Sequence, residues 1–376
     1  MKGYIRKRGK TYSYTVDIGR DPLTGKRKQK TKSGFKTKKE AESALNELIY
    51  EVDKGIWIEP KNLLFKDFAN EWLLNHKLKL RDTTAEQYEI KLRKYIVPFF
   101  GTQIISNIKP IHAQAFSKYL LDEGLVPDSA HKTYSIAKMI FKHAVDLEVI
   151  SKNPLASVSI LKQTKKEIKT WTFEELNKFL STVKEHESYY HNIFALAAFT
   201  GMRKGEILGL RRLDVDFTKN KIIIKQAIKE TKEGVSIGPL KTPSSYRQIS
   251  IDDFIVSVLK EQINKNNELR LKLGKVYNDN GLIFCQENGD IKRPTSLNRP
   301  FKRNIKLANV PEIRVHDLRH THATLLLEMG VNPKVVADRL GHASVKITLD
   351  TYSHSSLALQ SDVAVMFSKN VKSNLS

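Results

Sequence analysis

Four short segments in the second half of this 376-residue chain hold side chains suited to chemistry on a phosphate. TGMRKGEILGL places Arg203 just after a glycine at the junction of two helical patterns. A guanidinium there can fork two N–H donors onto a phosphate. LKTPSSYRQISI sets Lys241 at a strand end, with Ser244-Ser245 turning into the next strand, so the spacing predicts a hairpin whose lysine reaches a cleft as a mobile proton donor. VHDLRHTHATLLLEMG carries His316 and Arg319 three apart, on one face of a helix, which sets a proton-transfer group beside a permanent cation. RLGHASVKITLDTYSH places His342 ten residues before Tyr352. A tyrosine hydroxyl, with a pKa near ~10, attacks poorly unless cations stabilise its anion and a base takes its proton. Taken singly, these residues fit plainer roles: a helix-end arginine in solvent, an exposed turn lysine, a packing tyrosine. A metal site is a poor alternative for the histidines, because His320 and His322 are two apart, on different helix faces, and no acidic cluster accompanies them.

Taken in order and spacing, Arg203, Lys241, His316, Arg319, His342 and Tyr352 resemble the active-site set of the tyrosine recombinases, the phage integrase family. TGMRKGEILGLR is similar to the family's first-arginine box, KTPSSYRQISI to its lysine hairpin, HDLRHTHAT to its second box and LGHASVKITLDTY to the box with the nucleophile. Four such matches in one order are far more specific than any one of them. The resemblance implies a site-specific recombinase in which Tyr352 attacks a DNA phosphate and forms a 3′-phosphotyrosine. Arg203 and Arg319 would clamp the nonbridging oxygens, Lys241 would protonate the departing 5′ oxygen, and His316 and His342 would hold the phosphate or manage the tyrosine proton. It further implies no cofactor, neither metal nor ATP, and double-stranded DNA at core and arm sites as the partner. Four protomers would assemble on that DNA, with a small excisionase and a host DNA-bending protein as accessories, to integrate or excise a prophage or mobile element.

These residues need a scaffold, and the pattern predicts a mainly α, multidomain chain with small sheets. Residues 1–55 read as an arm-type DNA-binding domain, a three-stranded sheet plus one helix. YSYTVDI alternates as a half-buried strand, Asp21 to Lys26 turns, and Thr37 to Lys54 repeats its apolar residues at helical spacing. Arg20, Lys26, Arg27, Lys28, Lys30 and Lys32 are expected to line one sheet face that enters a DNA groove. The same pattern also fits a solvated charged hairpin. After a linker at 56–63, residues 64–161 read as a helical, SAM-like core-binding bundle of four helices, with a capping box at Thr83 and Glu86 and a stop at Pro98-Gly101. A lysine-rich connector, Lys162 to Lys169, is a plausible hinge. Residues 170–376 form a mixed α+β catalytic domain that opens on a Thr172/Glu175 capping box, includes strands Lys221–Ile228 and Arg247–Ile251, and closes with an apolar tail helix, Ser355 to Lys369. That tail must cover a surface, either of its own domain or of a neighbouring protomer.

Composition agrees. Lys and Arg number 64 against 41 Asp and Glu, a net charge of +23, which points to a polyanion because phosphate neutralisation releases condensed counterions. A lone cysteine, Cys285, forbids an internal disulfide, and no apolar run approaches the ~18 residues of a membrane span, so a cytoplasmic location is expected. Two rival functions remain: a type IB topoisomerase, which shares the chemistry but reseals the same strand, and a DNA-binding regulator without catalysis. The arm-like domain disfavours the first, and the complete set of six residues disfavours the second.

Overall fold

The computed structural model describes residues 3–20, 25–53, 62–157, 168–240 and 242–352. Most of the linker at 56–63, most of the connector at 162–169, Lys241 and the tail helix lie outside the described residues. The chain divides into two compact units, Met1–Thr164 and Lys165–Ser376.

In the first unit, β1 (Gly3–Arg8), β2 (Thr11–Arg20) and β3 (Arg27–Phe35) form an antiparallel sheet in that order, followed by α1 (Lys38–Asp53). Thr37 and Glu40 cap the helix reciprocally. Tyr14 and Val16 on the sheet meet Leu45 and Leu48 on the helix. The register corrects the expectation of one basic face. Lys32 lies opposite Tyr14 and Lys30 opposite Val16, so Lys28, Lys30 and Lys32 share the helix-facing side of the sheet, at its edge. Arg27 alternates to the other side, where it donates to Asp17 at 2.5 Å. A period of two forbids consecutive cations from sharing a face. Arg6, which pairs with Ser13, belongs to the open face instead, beside Thr15 and Thr31, whose hydroxyls lie 2.9 Å apart.

The helical bundle comprises α2 (Phe65–Lys77), α3 (Asp82–Lys91), α4 (Val97–Phe100), α5 (Pro110–Asp122) and α6 (Pro127–Asp146). Its core is aromatic: Phe100 lies with ring centroids 5.3 Å from Phe65, 4.8 Å from Phe116 and 5.5 Å from Phe141. One expectation fails here. No Thr83 cap opens α3, whose cap position is Arg81, two residues earlier. The expected stop at Pro98-Gly101 is where the helix ends: a wider π turn at Leu92–Ile96 precedes the proline, and α4 runs to Phe100 with Gly101 at its cap position. That turn comes directly before the proline ring, which would otherwise press on the carbonyl four residues back.

The second unit is anchored near its start by Trp171, whose indole donates to the Pro311 carbonyl at 2.8 Å while its backbone N–H donates to Thr321. The Thr172/Glu175 capping box then opens α7 (Phe173–His186), followed by α8 (Ser188–Thr200) and α9 (Lys204–Leu208). The single strand expected at 221–228 is two: β5 (Lys221–Ile224) joins β4 (Val215–Asp216) and β8 (Arg247–Ser250), while β6 (Gln226–Thr231) pairs with β7 (Gly234–Pro239) in a second sheet. The break falls at Lys225, which reaches back to the buried Asp214 at 3.5 Å. β7 and β8 therefore belong to different sheets. α10 (Asp253–Leu273), α11 (Asn298–Ala308), α12 (Asp317–Glu328), α13 (Pro333–Leu340) and α14 (Val345–Tyr352) complete the unit.

Candidate active site

Three separated segments meet around Gly201. This residue ends α8 in the left-handed region at φ +64°, and a Cβ on it would stand 2.5 Å from Leu340 and 2.8 Å from His322, so only glycine fits. Its carbonyl accepts Nη1 of Arg319 at 2.7 Å, and Nη2 of Arg319 donates to the carbonyl of Leu340. Arg319 is 3% exposed. Its guanidinium is thus fixed between the end of α8 and the end of α13 by backbone oxygens, which hold direction without neutralising charge.

Arg203 occupies the cap position of α9, with a side chain 37% exposed. Its Nη1 donates to Glu206 at 2.7 Å, and its backbone N–H donates to the same carboxylate at 2.9 Å. Burial would raise the pKa of Glu206, but the bonds and charges of Arg247 and then Arg203 hold it below the usual carboxylate range. Glu206 is an anion whose task is to aim cations.

His316 sits at the start of α12, with its ring centroid 5.2 Å from that of His320. By surface area it is exposed, yet desolvation, then His320 and Arg319, lower its pKa to about 4. His342 follows α13, and its Nδ1 lies 2.8 Å from the hydroxyl of the buried Thr348. Desolvation, then Arg319 and Arg203, lower it to about 4 as well. Both imidazoles are therefore neutral near pH 7 and able to accept a proton or to donate one N–H. Asp317, beside them, is held ionised by Arg314 at 2.8 Å despite its burial. Tyr352 closes α14, ten residues after His342, and its hydroxyl is outside the described atoms.

Of the six residues expected from sequence, Arg203, His316, Arg319 and His342 come together, each close enough to another to shift its titration. The sequence reading passed over Glu206, Arg247, Arg339 and Thr348 as functional groups. Arg203-x-x-Glu206 was the available signal, since a spacing of three on a helix start lets a carboxylate reach back. Nothing local marks Arg247 or Arg339, which act across long sequence separations. His322, 8% exposed, accepts from Nε of Arg339 at 3.1 Å, and burial with that cation lowers its pKa to about 3. It belongs to the support of α13 and not to a metal site. No group of potential metal ligands occurs among the described residues.

Comparison with known proteins matches this architecture segment by segment. The model described as the phage integrase family covers residues 169–358, an arm DNA-binding domain covers 4–52, and the phage integrase N-terminal SAM-like domain covers 64–121. A tyrosine recombinase XerC-like protein of Caldanaerobacter subterraneus is 32% identical, over 93% of this chain and 94% of its own. The ICEBs1 integrase of Bacillus subtilis is 28% identical, over 91% and 93%. Among solved structures, the Tn1549 transposon integrase in complex with a circular intermediate DNA superposes with a TM-score of 0.69 at 21% identity, covering 80% of this chain and 99% of that one. A lambda integrase tetramer bound to a Holliday junction gives 0.56 at 19%, covering 93% and 94%. Fold and site define a DNA strand-transfer enzyme of the tyrosine type. The chain belongs to the phage integrase family. No helix among the described residues is long and apolar enough to cross a membrane.

Proposed function

We propose that this chain recombines two specific DNA sites by the following route. Tyr352 attacks the scissile phosphate, and Arg203 and Arg319 stabilise the charge that develops on its nonbridging oxygens. The neutral imidazole of His342 or His316 takes the tyrosine proton, and Lys241 gives one to the leaving 5′ oxygen. The phosphotyrosine keeps the bond energy, so a 5′ hydroxyl from another strand reverses the attack without ATP. The observation that carries this reading is the meeting of Arg203, Arg319, His316 and His342 from three remote segments at one place, beside the helix that ends in Tyr352.

Residues 64–161 and 170–376 would clasp the core site, and residues 1–55 would bind an arm site. The open sheet face, with Arg6, Thr15, Arg27 and Thr31, suits groove contact better than the helix-facing lysines. A homotetramer on paired core sites, an excisionase and a host bending protein complete the proposal, in a bacterial cytoplasm, on prophage or mobile-element ends. The test is covalent capture of nicked duplexes from a random-sequence pool. The native chain should enrich one core sequence as protein-linked DNA, while Tyr352→Phe should bind that duplex and yield no adduct. An adduct formed by Tyr352→Phe would return Tyr352 to a packing role. Resealing that never exchanges strands between two captured duplexes would favour the topoisomerase reading instead.

A further inference from the structure

The proposed reaction needs Arg203 and His342 in fixed relation although they are remote in sequence, and one side chain joins them. Arg247, with a side chain only 6% exposed, donates from Nη2 to Glu206 Oε2 at 2.9 Å and from Nη1 to Oε1 at 3.2 Å. Those same two carboxylate oxygens accept the side chain and the backbone N–H of Arg203. In the other direction, Nε of Arg247 donates to the carbonyl of Arg339 at 2.7 Å, near the end of α13. The next turn packs directly on it: Gly341 is held at φ +69°, and a Cβ there would stand 3.0 Å from Cδ of Arg247. His342 is the following residue.

One anion between two guanidiniums neutralises one of them. Arg247, buried and turned away from solvent, takes that neutralisation, and the half-open Arg203 keeps its charge for a phosphate while its direction is set. Without Arg247 the whole carboxylate would fall to Arg203 and pull it off line. We propose that Arg247 is a positioning residue for strand transfer, holding Arg203 through Glu206 in register with the turn that carries His342. This rests on the strand-transfer reading above, and the experiment separates the two.

The probe is the nicked duplex selected by covalent capture, and the readouts are adduct rate at saturating duplex, half-saturating duplex concentration and thermal melting of the full chain. Arg203→Ala should lower the adduct rate by about 10²–10³-fold. An undiminished rate there would overturn the reading of the site itself. Arg247→Met keeps the aliphatic stem and should lower the saturated rate by about 10- to 100-fold, the cost of a small misplacement, with the half-saturating concentration unchanged. In the Arg203→Ala background the same change should add almost nothing, because the group it positions is gone. Equal fold-losses in both backgrounds would overturn the proposal, as would a loss confined to the half-saturating concentration. Should Arg247→Met not melt as a folded protein, Arg247→Lys goes through the same cycle. It keeps a buried charge on Glu206 but cannot hold Glu206 and the Arg339 carbonyl in one plane, and the same two outcomes decide.

Discussion

The helical bundle and the catalytic unit are stabilised in opposite ways. Among the described residues of the first unit the buried polar side chains are uncharged, Ser13, Thr133 and the hydroxyl of Tyr134 among them, and the bundle rests on rings such as Phe65, Phe100, Phe116 and Phe141. The catalytic unit buries Glu206, Asp214, Asp317, Arg319 and His322, while some of their partners, Arg203 and Arg314 among them, stay open to solvent. Apolar packing holds a shape against any ligand, whereas buried charges hold directions for a particular one. The difference separates a part that presents a surface from a part that must aim cations at a single atom.

The largest expected effects pit the two modes against each other. Phe100→Ala should cost about 3–5 kcal/mol through the cavity it leaves. Glu206→Ala should cost a similar amount, about 3–5 kcal/mol, by stranding Arg247 in the interior. Denaturant titration separates them: Glu206→Leu combined with Arg247→Met should recover most of the loss, because a buried ion pair can be exchanged for apolar volume, and no single charge change should recover Phe100→Ala. A double variant as unstable as Glu206→Ala would show that the pair stabilises rather than aims.

Next in size is Arg203→Lys. A point charge cannot fork onto two phosphate oxygens, so the adduct rate should fall by roughly 10²-fold or more with unfolding midpoints unmoved. Near-native cleavage would show that charge alone suffices. Acid should then distinguish the units. His322 is neutral in the folded state down to about pH 3 but takes a proton near 6.5 once unfolded. The unfolded state therefore gains protons first as pH falls, and stability of the catalytic unit should drop by about 1.4 kcal/mol per pH unit below 6.5 on this account. His322→Gln should lower the measured slope by about this amount, leaving what His316 and His342 contribute down to about pH 4, and an unchanged slope would reassign it. The smallest effect is at Thr348→Val, which removes the hydroxyl partner of His342 and should cost about 1 kcal/mol.

Local periodicity carried most of the fold, since α5, α6, α7 and the arm sheet are set by neighbours in sequence. It failed where partners are remote. The register of β3 depends on β2, and the residue at the split, Lys225, has its partner eleven residues back at Asp214. The π turn before Pro98 is a local accommodation that no simple stop rule contains. The site shows the same division. Arg203, His316, Arg319 and His342 were legible from motif order, and Glu206 from a spacing of three. Arg247 and Arg339 were not, because their work lies in carbonyls and carboxylates many residues away.

Trp171 has a consequence in time. Its indole is satisfied by Pro311, 140 residues later, and its backbone by Thr321, 150 residues later. At about 5–20 residues per second a ribosome needs roughly 7–30 s to travel that distance. The bundle upstream is complete long before then, so during synthesis the nascent chain carries a finished helical unit while Trp171, near the start of the catalytic unit, waits, unburied, for its partners to be made.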